Sequence, residues 1–249
     1  MRSIHHDTLD STSDEARRML SCHPGEVLLI TAGQQTRGRG RRGRTWHSPR
    51  GGVWLSLAWP TKREPTHYTA APLIAALATW HTLMGCIGDH EAKREAQLRI
   101  KWPNDLLLDG RKLAGILCEQ AMEHSALIVG VGVNANFAAS DLPTNVRQPT
   151  TTLRDALGHA VDLPAFTNRL AQALEAALAD LERDGFTDDT RLAIEQRLTM
   201  LGQCIALRAA DRVVQGNVQG LAPDGGLLLD VAGEQQVFTV GEVQQTQQA

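Results

Sequence analysis

Leu98-Arg99-Ile100-Lys101-Trp102-Pro103-Asn104-Asp105-Leu106-Leu107-Leu108-Asp109-Gly110-Arg111-Lys112-Leu113-Ala114-Gly115-Ile116-Leu117 decides the fold class. Leu98 to Trp102 reads as a strand, and the proline after it enforces a turn. Leu106 to Leu108 and Leu113 to Glu119 then form a hairpin about Asp109-Gly110, a dipeptide suited to two consecutive positive-φ positions. Ala126 to Val133 is a further strand, and the glycines of its I-V-G-V-G-V run leave room beside the backbone. Strands that follow one another through hairpins make a mixed or antiparallel sheet, not a βαβ repeat.

Upstream, Val27 to Thr31 and Val53 to Trp59 read as strands. Asp14 to Leu20 forms a short helix with Ser11, Thr12 and Ser13 as candidate caps. Thr69 to Met84 forms a second helix on the spacing of Leu73, Leu77, Trp80 and Met84, with Pro72 in its first turn and Gly85 closing it. Downstream come helices over Thr152 to Leu157, Pro164 to Asp184 (capped by Asp162) and Asp188 to Met200. After Leu201 the texture changes to short strands, Cys204 to Arg208, Val213 to Leu221, Leu227 to Val231 and Gln235 to Val240. The expected architecture is α+β: a mixed sheet backed by helices over residues 1–198, and a small SH3-like β-barrel over residues 199–249. A glutamine-rich tail follows, too short to matter.

The chain has 249 residues, 42% hydrophobic and 21% charged, with a formal net charge of −3. That hydrophobic content excludes a disordered chain, and the near balance of charge argues against a surface built wholly for nucleic acid. Cys22, Cys86, Cys118 and Cys204 form no CxxC pair, so neither a disulfide framework nor a zinc site is indicated and a reducing compartment fits. No apolar run reaches about 18 residues, so no membrane span is expected. The first nine residues have no signal or transit character, and the expected address is the cytoplasm.

Three segments hold the chemistry. Gly38-Arg39-Gly40-Arg41-Arg42-Gly43-Arg44-Thr45-Trp46 lies in a stretch, Gly33 to Gly52, too rich in glycine for regular structure. Five of the chain's 21 arginines fall between Arg37 and Arg44. Glycines let backbone N–H groups turn toward an anion, and arginines add bidentate charge. The GK[ST] ending of a P-loop is missing. A solvated basic loop, a nucleic-acid contact and a phosphate or carboxylate site all fit these residues. Lys101 to Asp105 sets a lysine, Asn104 and a carboxylate at a strand exit. There lysine can neutralise phosphate and Asp can hold Mg²⁺, or Asp105 can simply form the turn. Lys112 opens the strand after the tight turn, and Gly115 leaves space beside it for a ligand. Gly130 and Gly132 lie in the Ala126 to Val133 strand, and Asn134 follows it.

Taken with the Leu9-Asp10-Ser11-Thr12-Ser13 segment, GRGRRGRTW, KWPNDL and RKLAGIL in this order resemble the biotin protein ligases, over essentially the whole chain. The resemblance implies a catalytic domain like that of the class II aminoacyl-tRNA synthetases, followed by the SH3-like domain. It implies that biotin and ATP give biotinyl-5′-AMP, and that biotin then passes to one lysine of a biotin carboxyl carrier protein. It implies Ser11 and Thr12 on the biotin ureido group and Gln35 in the biotin pocket. Arg39 and Arg41 meet the biotin carboxylate and α-phosphate, with Arg42 and Arg44 shaping the loop. Lys112 reaches the carboxylate or acyl-adenylate oxygens, Lys101 the ATP phosphates, and Asn134 the nucleotide end. Asp105 holds Mg²⁺ or orients the incoming lysine. Trp46 and Trp102 are apolar walls or plain core. Ser13 stands where the family often has Asn, and Arg37 where it often has a small residue.

About ten residues precede the Asp-Ser-Thr segment, which leaves no room for the DNA-binding domain some members have, so no DNA partner is expected. The expected state is a monomer or weak homodimer. A lipoate-type acyl ligase and a nucleic-acid-binding module using the arginine loop are the competing readings. The five loop arginines repel one another when no anion is bound, so the loop is expected to be open without ligand and to order with it.

Overall fold

The computed structural model describes residues 1–87, 97–143, 148–210 and 212–244. Alternation in β7 (Ala126–Val133) shows how the main sheet divides its faces. Val129, Val131 and Val133 enter the large core, and the intervening Gly130 and Gly132 turn to the opposite face. The sheet has seven strands in the order β1-β2-β3-β7-β6-β5-β4: β1 (Arg2–Leu9), β2 (Leu28–Gln35), β3 (Val53–Pro60), β4 (Leu98–Lys101), β5 (Asp105–Leu108), β6 (Arg111–Ala121) and β7. β1 and β2 are parallel and every other pair is antiparallel, so the sheet is mixed as expected. The β5–β6 turn is the predicted one, with φ of 52° at Asp109 and 72° at Gly110. The Trp102–Pro103 peptide ahead of it is cis.

Two helices back the valine face. α2 (Ala71–Ile87) is packed against the sheet and against α4 (Leu163–Asp184), burying Leu73, Trp80, Leu83, Leu170 and Leu174 in one core. The segment Pro65–Ile87 is long and apolar enough to cross a membrane, but 67% of its apolar window is buried inside the protein. It is an interior helix, apolar on all sides because protein surrounds it. α1 (Thr12–Leu20) covers the other face, packing Ala16 and Leu20 on Leu28, Ile30, Ala58 and Ile128. Two short helices, α3 (Leu153–Leu157) and α5 (Asp188–Glu195), are capped by Thr152 and Thr187.

Cys204–Ala209 (β8), Arg212–Leu221 (β9), Leu227–Val231 (β10), Glu234–Phe238 (β11) and Glu242–Gln244 (β12) form a five-stranded antiparallel sheet, in the order β11-β10-β9-β8-β12. It is consistent with the SH3-like module. Its Leu207, Leu221, Leu227 and Phe238 share the main core. The Trp102 indole N–H donates to the Gly225 carbonyl at 3.1 Å, tying the two sheets together.

Several expectations need correction. Arg2–Leu9 is an edge strand where the sequence predicts no element, because its polar alternation carries little apolar signal. β2 runs on through Gly33 to Gln35, since β1 supplies ladder partners there. The arginine stretch is not wholly irregular: Arg39 bridges Thr45, and Arg41–Gly43 make one 3-10 turn with Arg42 at φ 58°. α2 does not stop at Gly85 but runs to Ile87, and the last helix ends at Glu195, not Met200. β12 escapes sequence reasoning, being only three residues long. Residues 245–249 of the glutamine-rich tail lie outside the described residues.

Candidate active site

A cleft of about 1280 Å³ opens on the glycine face of the main sheet, under the arginine loop and beside β12. It gathers segments far apart in sequence: the start of α1, the end of β2, the arginine loop, the β4–β5 turn, β6, β7 and the strand β12. Every site residue proposed from sequence lines it except Gly38. Gly38 sits beneath the loop, where an added Cβ would come 2.4 Å from the Trp46 carbonyl oxygen.

One wall is a chain of neutral polar groups. Ser11 caps α1, which buries Thr12 and Ser13 beside it. The Thr12 amide and hydroxyl donate to Gln35 Oε1 at 2.8 and 3.1 Å. Gln35 Nε2 donates to Ser48 Oγ at 2.8 Å. Ser56, unmarked in the sequence, donates to Thr12 Oγ1 at 2.8 Å and lies 2.9 Å from Ser13 Oγ. Ser13 thus joins the wall through Ser56.

The three glycines serve side-chain packing. A Cβ at Gly132 would lie 2.5 Å from Trp46 Nε1, and one at Gly115 would lie 2.8 Å from Trp46 Cζ3. A Cβ at Gly130 would meet Ser13 Oγ at 2.8 Å. Gly115 lines the cleft with the Trp46 ring packed against it. Trp46 is a wall of the cleft, and the buried Trp102 serves chiefly as the seat of the second sheet.

The other end is cationic. Lys112 Nζ lies 2.8 Å from Asp105 Oδ2 and 4.9 Å from the Trp46 ring centre. Arg41 donates to Asn104 Oδ1 at 3.0 Å, and Asn104 Nδ2 donates to the Ile116 carbonyl at 2.8 Å. Burial, then the neighbouring Arg42, pushes the Arg41 pKa down, and burial does the same to Lys101 against the opposing charge of Asp105. Asn134 is 2% exposed and donates to the Thr151 carbonyl at 3.2 Å. Arg41, Arg42, Arg44, Lys101 and Lys112 set five positive charges against the carboxylates of Asp105 and Glu242, an excess suited to a polyanion.

The loop itself is clasped by carboxylates. Arg39 makes a bidentate pair with Glu119 and lies 3.0 Å from Asp14. Burial opposes its charge, but the bonds and charge of Glu119 outweigh burial and raise its pKa. Arg42 and Arg44 pair with Glu242, at 3.7 and 2.5 Å. Arg37 is mostly exposed and pairs with Asp10 at 3.3 Å. Fixed carboxylates therefore offset the mutual repulsion of the arginines. Glu242, Arg208, Gln148 and Thr150 also line the cleft, and sequence reasoning misses them. Nothing local marks them; the folded chain alone brings them there.

Residues 7–136 match the Biotin/lipoate A/B protein ligase family, and residues 200–244 match the Biotin protein ligase C terminal domain. The chain belongs to the biotin/lipoate A/B protein ligase family. Within that family it is 33% identical over 238 residues to the biotin--[acetyl-CoA-carboxylase] ligase of Paracoccus denitrificans, covering 94% of this chain and 96% of that one. It is 32% identical to the bifunctional ligase/repressor BirA of Bacillus subtilis, covering 91% of this chain and 69% of that protein. The structure of the biotin protein ligase from Aquifex aeolicus in complex with biotin and ATP superposes with a TM-score of 0.81 at 26% identity, covering 98% of this chain and 97% of that one. The cleft has one neutral and one cationic end.

Proposed function

We propose that this chain is an ATP-dependent biotin protein ligase. It joins biotin to ATP as biotinyl-5′-AMP, then passes biotin to one lysine of a biotin carboxyl carrier protein. The observation that carries this reading is the Thr12–Gln35 hydrogen-bonded wall and the Arg41–Lys101–Lys112 cluster in one cleft.

The wall offers hydroxyl and amide groups to the ureido ring at Ser11, Thr12 and Gln35, and Trp46 gives the apolar body of biotin a surface. In the first step a biotin carboxylate oxygen bonds to the α-phosphorus while the bond to the pyrophosphate leaving group breaks. Two anions must approach for this, and Lys112 and Arg41 offset their repulsion while Lys101 draws on the departing phosphates. In the second step the carrier lysine amine attacks the biotinyl carbonyl, AMP leaves, and the amine gives up its proton. Asp105, beside Lys112, is the carboxylate placed to orient that amine.

Mg²⁺ fits the site. Asp105 Oδ1 is buried with no partner among the described residues, a hard oxygen donor in a cleft that would hold phosphates. Among the described residues no group of three or more acidic, His or Cys side chains is present, which suits an ion held largely by the nucleotide. Bound there, Mg²⁺ supplies charge neutralisation at the phosphates.

We place the catalytic part at residues 1–198 and the SH3-like domain at 199–249. The match of residues 200–244 to a biotin ligase C-terminal domain supports biotin over lipoate as the acid. We assign it to the cytoplasm as a monomer or weak homodimer. The free thiols of Cys22, Cys86 and Cys118 support a reducing compartment. The test is incubation with biotin and ATP–Mg²⁺. Biotin-dependent pyrophosphate release, with biotin then found on a carrier-domain lysine, is the expected result. Release driven by lipoate and not by biotin would overturn it.

A further inference from the structure

Gln148 is anchored at the cationic end of the cleft by its backbone neighbours. The Lys112 N–H donates to the Pro149 carbonyl at 2.7 Å, and the Thr151 N–H donates to the Lys112 carbonyl at 3.0 Å. This short parallel bridge holds residues 149–151 alongside Lys112. It delivers the Gln148 side chain to the second cleft lysine, and Gln148 Oε1 accepts from Lys101 Nζ at 3.2 Å.

An ammonium only donates, so the amide orientation is fixed with oxygen toward Lys101. The two N–H donors of Nε2 must then point elsewhere. Nε2 is buried and has no partner among the described residues. A buried donor without an acceptor is unfavourable, so the site is built to be completed. The acceptor must also lie close to Lys101 Nζ, because Nε2 and Oε1 belong to one amide. An anion is the strongest partner for an amide donor and an ammonium together, and a phosphate oxygen meets both demands.

We propose that Gln148 is a phosphate-binding residue of the nucleotide site: it holds Lys101 through Oε1 and donates through Nε2 to the phosphate chain of ATP. This rests on the ligase reading for the identity of the nucleotide. It adds a neutral donor that recognises phosphate where further positive charge would repel Lys101 and Lys112.

The experiment measures direct binding by calorimetry, without turnover, of ATP, adenosine, inorganic pyrophosphate and biotin to the full chain. Gln148→Met is expected to weaken ATP and pyrophosphate about 5- to 20-fold and to leave adenosine and biotin unchanged. Gln148→Glu should weaken ATP further, because a carboxylate meets phosphate even while it keeps Lys101. Lys101→Met with Gln148→Met should bind ATP more weakly than Lys101→Met alone, since Gln148 also donates directly. Unchanged ATP binding in both Gln148 variants, or equal losses for adenosine and ATP, would overturn the proposal. A thermal melt separates these outcomes from misfolding: a variant that melts early but keeps ATP affinity counts against it. A parent chain that binds ATP but not biotin would defeat the ligase reading and leave this assignment standing.

Discussion

Lys112 Nζ is held 2.8 Å from Asp105 Oδ2 and 4.9 Å from the centre of the Trp46 ring. The pair spans β5 and β6, two strands joined by the Asp109-Gly110 turn. The turn fixes the register, and the register fixes the ammonium between a carboxylate and an aromatic face. Losing either partner removes a 2.8 Å ion pair from a partly buried charge.

Lys112→Ala should therefore slow adenylation by on the order of 2–4 kcal/mol, or about 30- to 1000-fold. Biotin-dependent pyrophosphate exchange is the measurement. An unchanged exchange rate would return Lys112 to a role in the hairpin alone.

Gly132→Ala places a methyl group 2.5 Å from Trp46 Nε1. Trp46 must shift, at an overpacking cost of about 1–3 kcal/mol, and biotin affinity should fall with it. Gly85 is the control. It lies inside α2, where an added Cβ would meet no neighbour within 4 Å among the described residues. Gly85→Ala should stabilise the chain by roughly 0.5–1 kcal/mol and leave biotin binding alone. Urea melts and biotin titrations of both variants decide the matter; equal behaviour would refute the packing role of Gly132.

The clasped loop changes what proteolysis should show. Trypsin cleavage between Arg37 and Arg44 should be moderate in the free chain and slower with biotin plus ATP, as anions add to the existing clasps. Glu242→Ala frees Arg42 and Arg44 from their shared carboxylate, so cleavage there should quicken severalfold. Peptide mapping reads the sites directly. No change in Glu242→Ala would mean the clasp does not order the loop.

Burial lowers the Lys101 pKa, with the charge of Asp105 opposing. The folded chain therefore gives up this proton at lower pH than the unfolded chain. Stability from this group rises with pH between the lowered and the ordinary lysine value. Phosphate binding runs the other way, because it needs the proton. ATP affinity should fall on the alkaline side sooner than an ordinary lysine would dictate, and Lys101→Arg should flatten that limb. Calorimetric titration of ATP from pH 7 to about 10 tests both, since arginine keeps its charge throughout. Parallel curves for parent and variant would remove Lys101 from the phosphate site.

Local chemistry alone determined a good part of this protein. The Asp109-Gly110 turn, the Ser11 cap, the Asp162 cap and β7 are all legible because each depends on residues within a few positions of one another. The motif residues could be named for the same reason, since GRGRRGRTW and KWPNDL are contiguous. Only the tertiary structure decided what faces what. The extension of β2 depends on β1 beside it, and the glycines at 115 and 132 make sense only once Trp46 is seen to fill them. Gln148 reaches the cleft, and Glu119 and Glu242 reach the arginine loop, from segments distant in sequence; the separation, 80 residues for Arg39–Glu119 and 198 for Arg44–Glu242, leaves no local trace. Charge pairing over such distances is set by strand order and register, and these are settled by burial of the whole core.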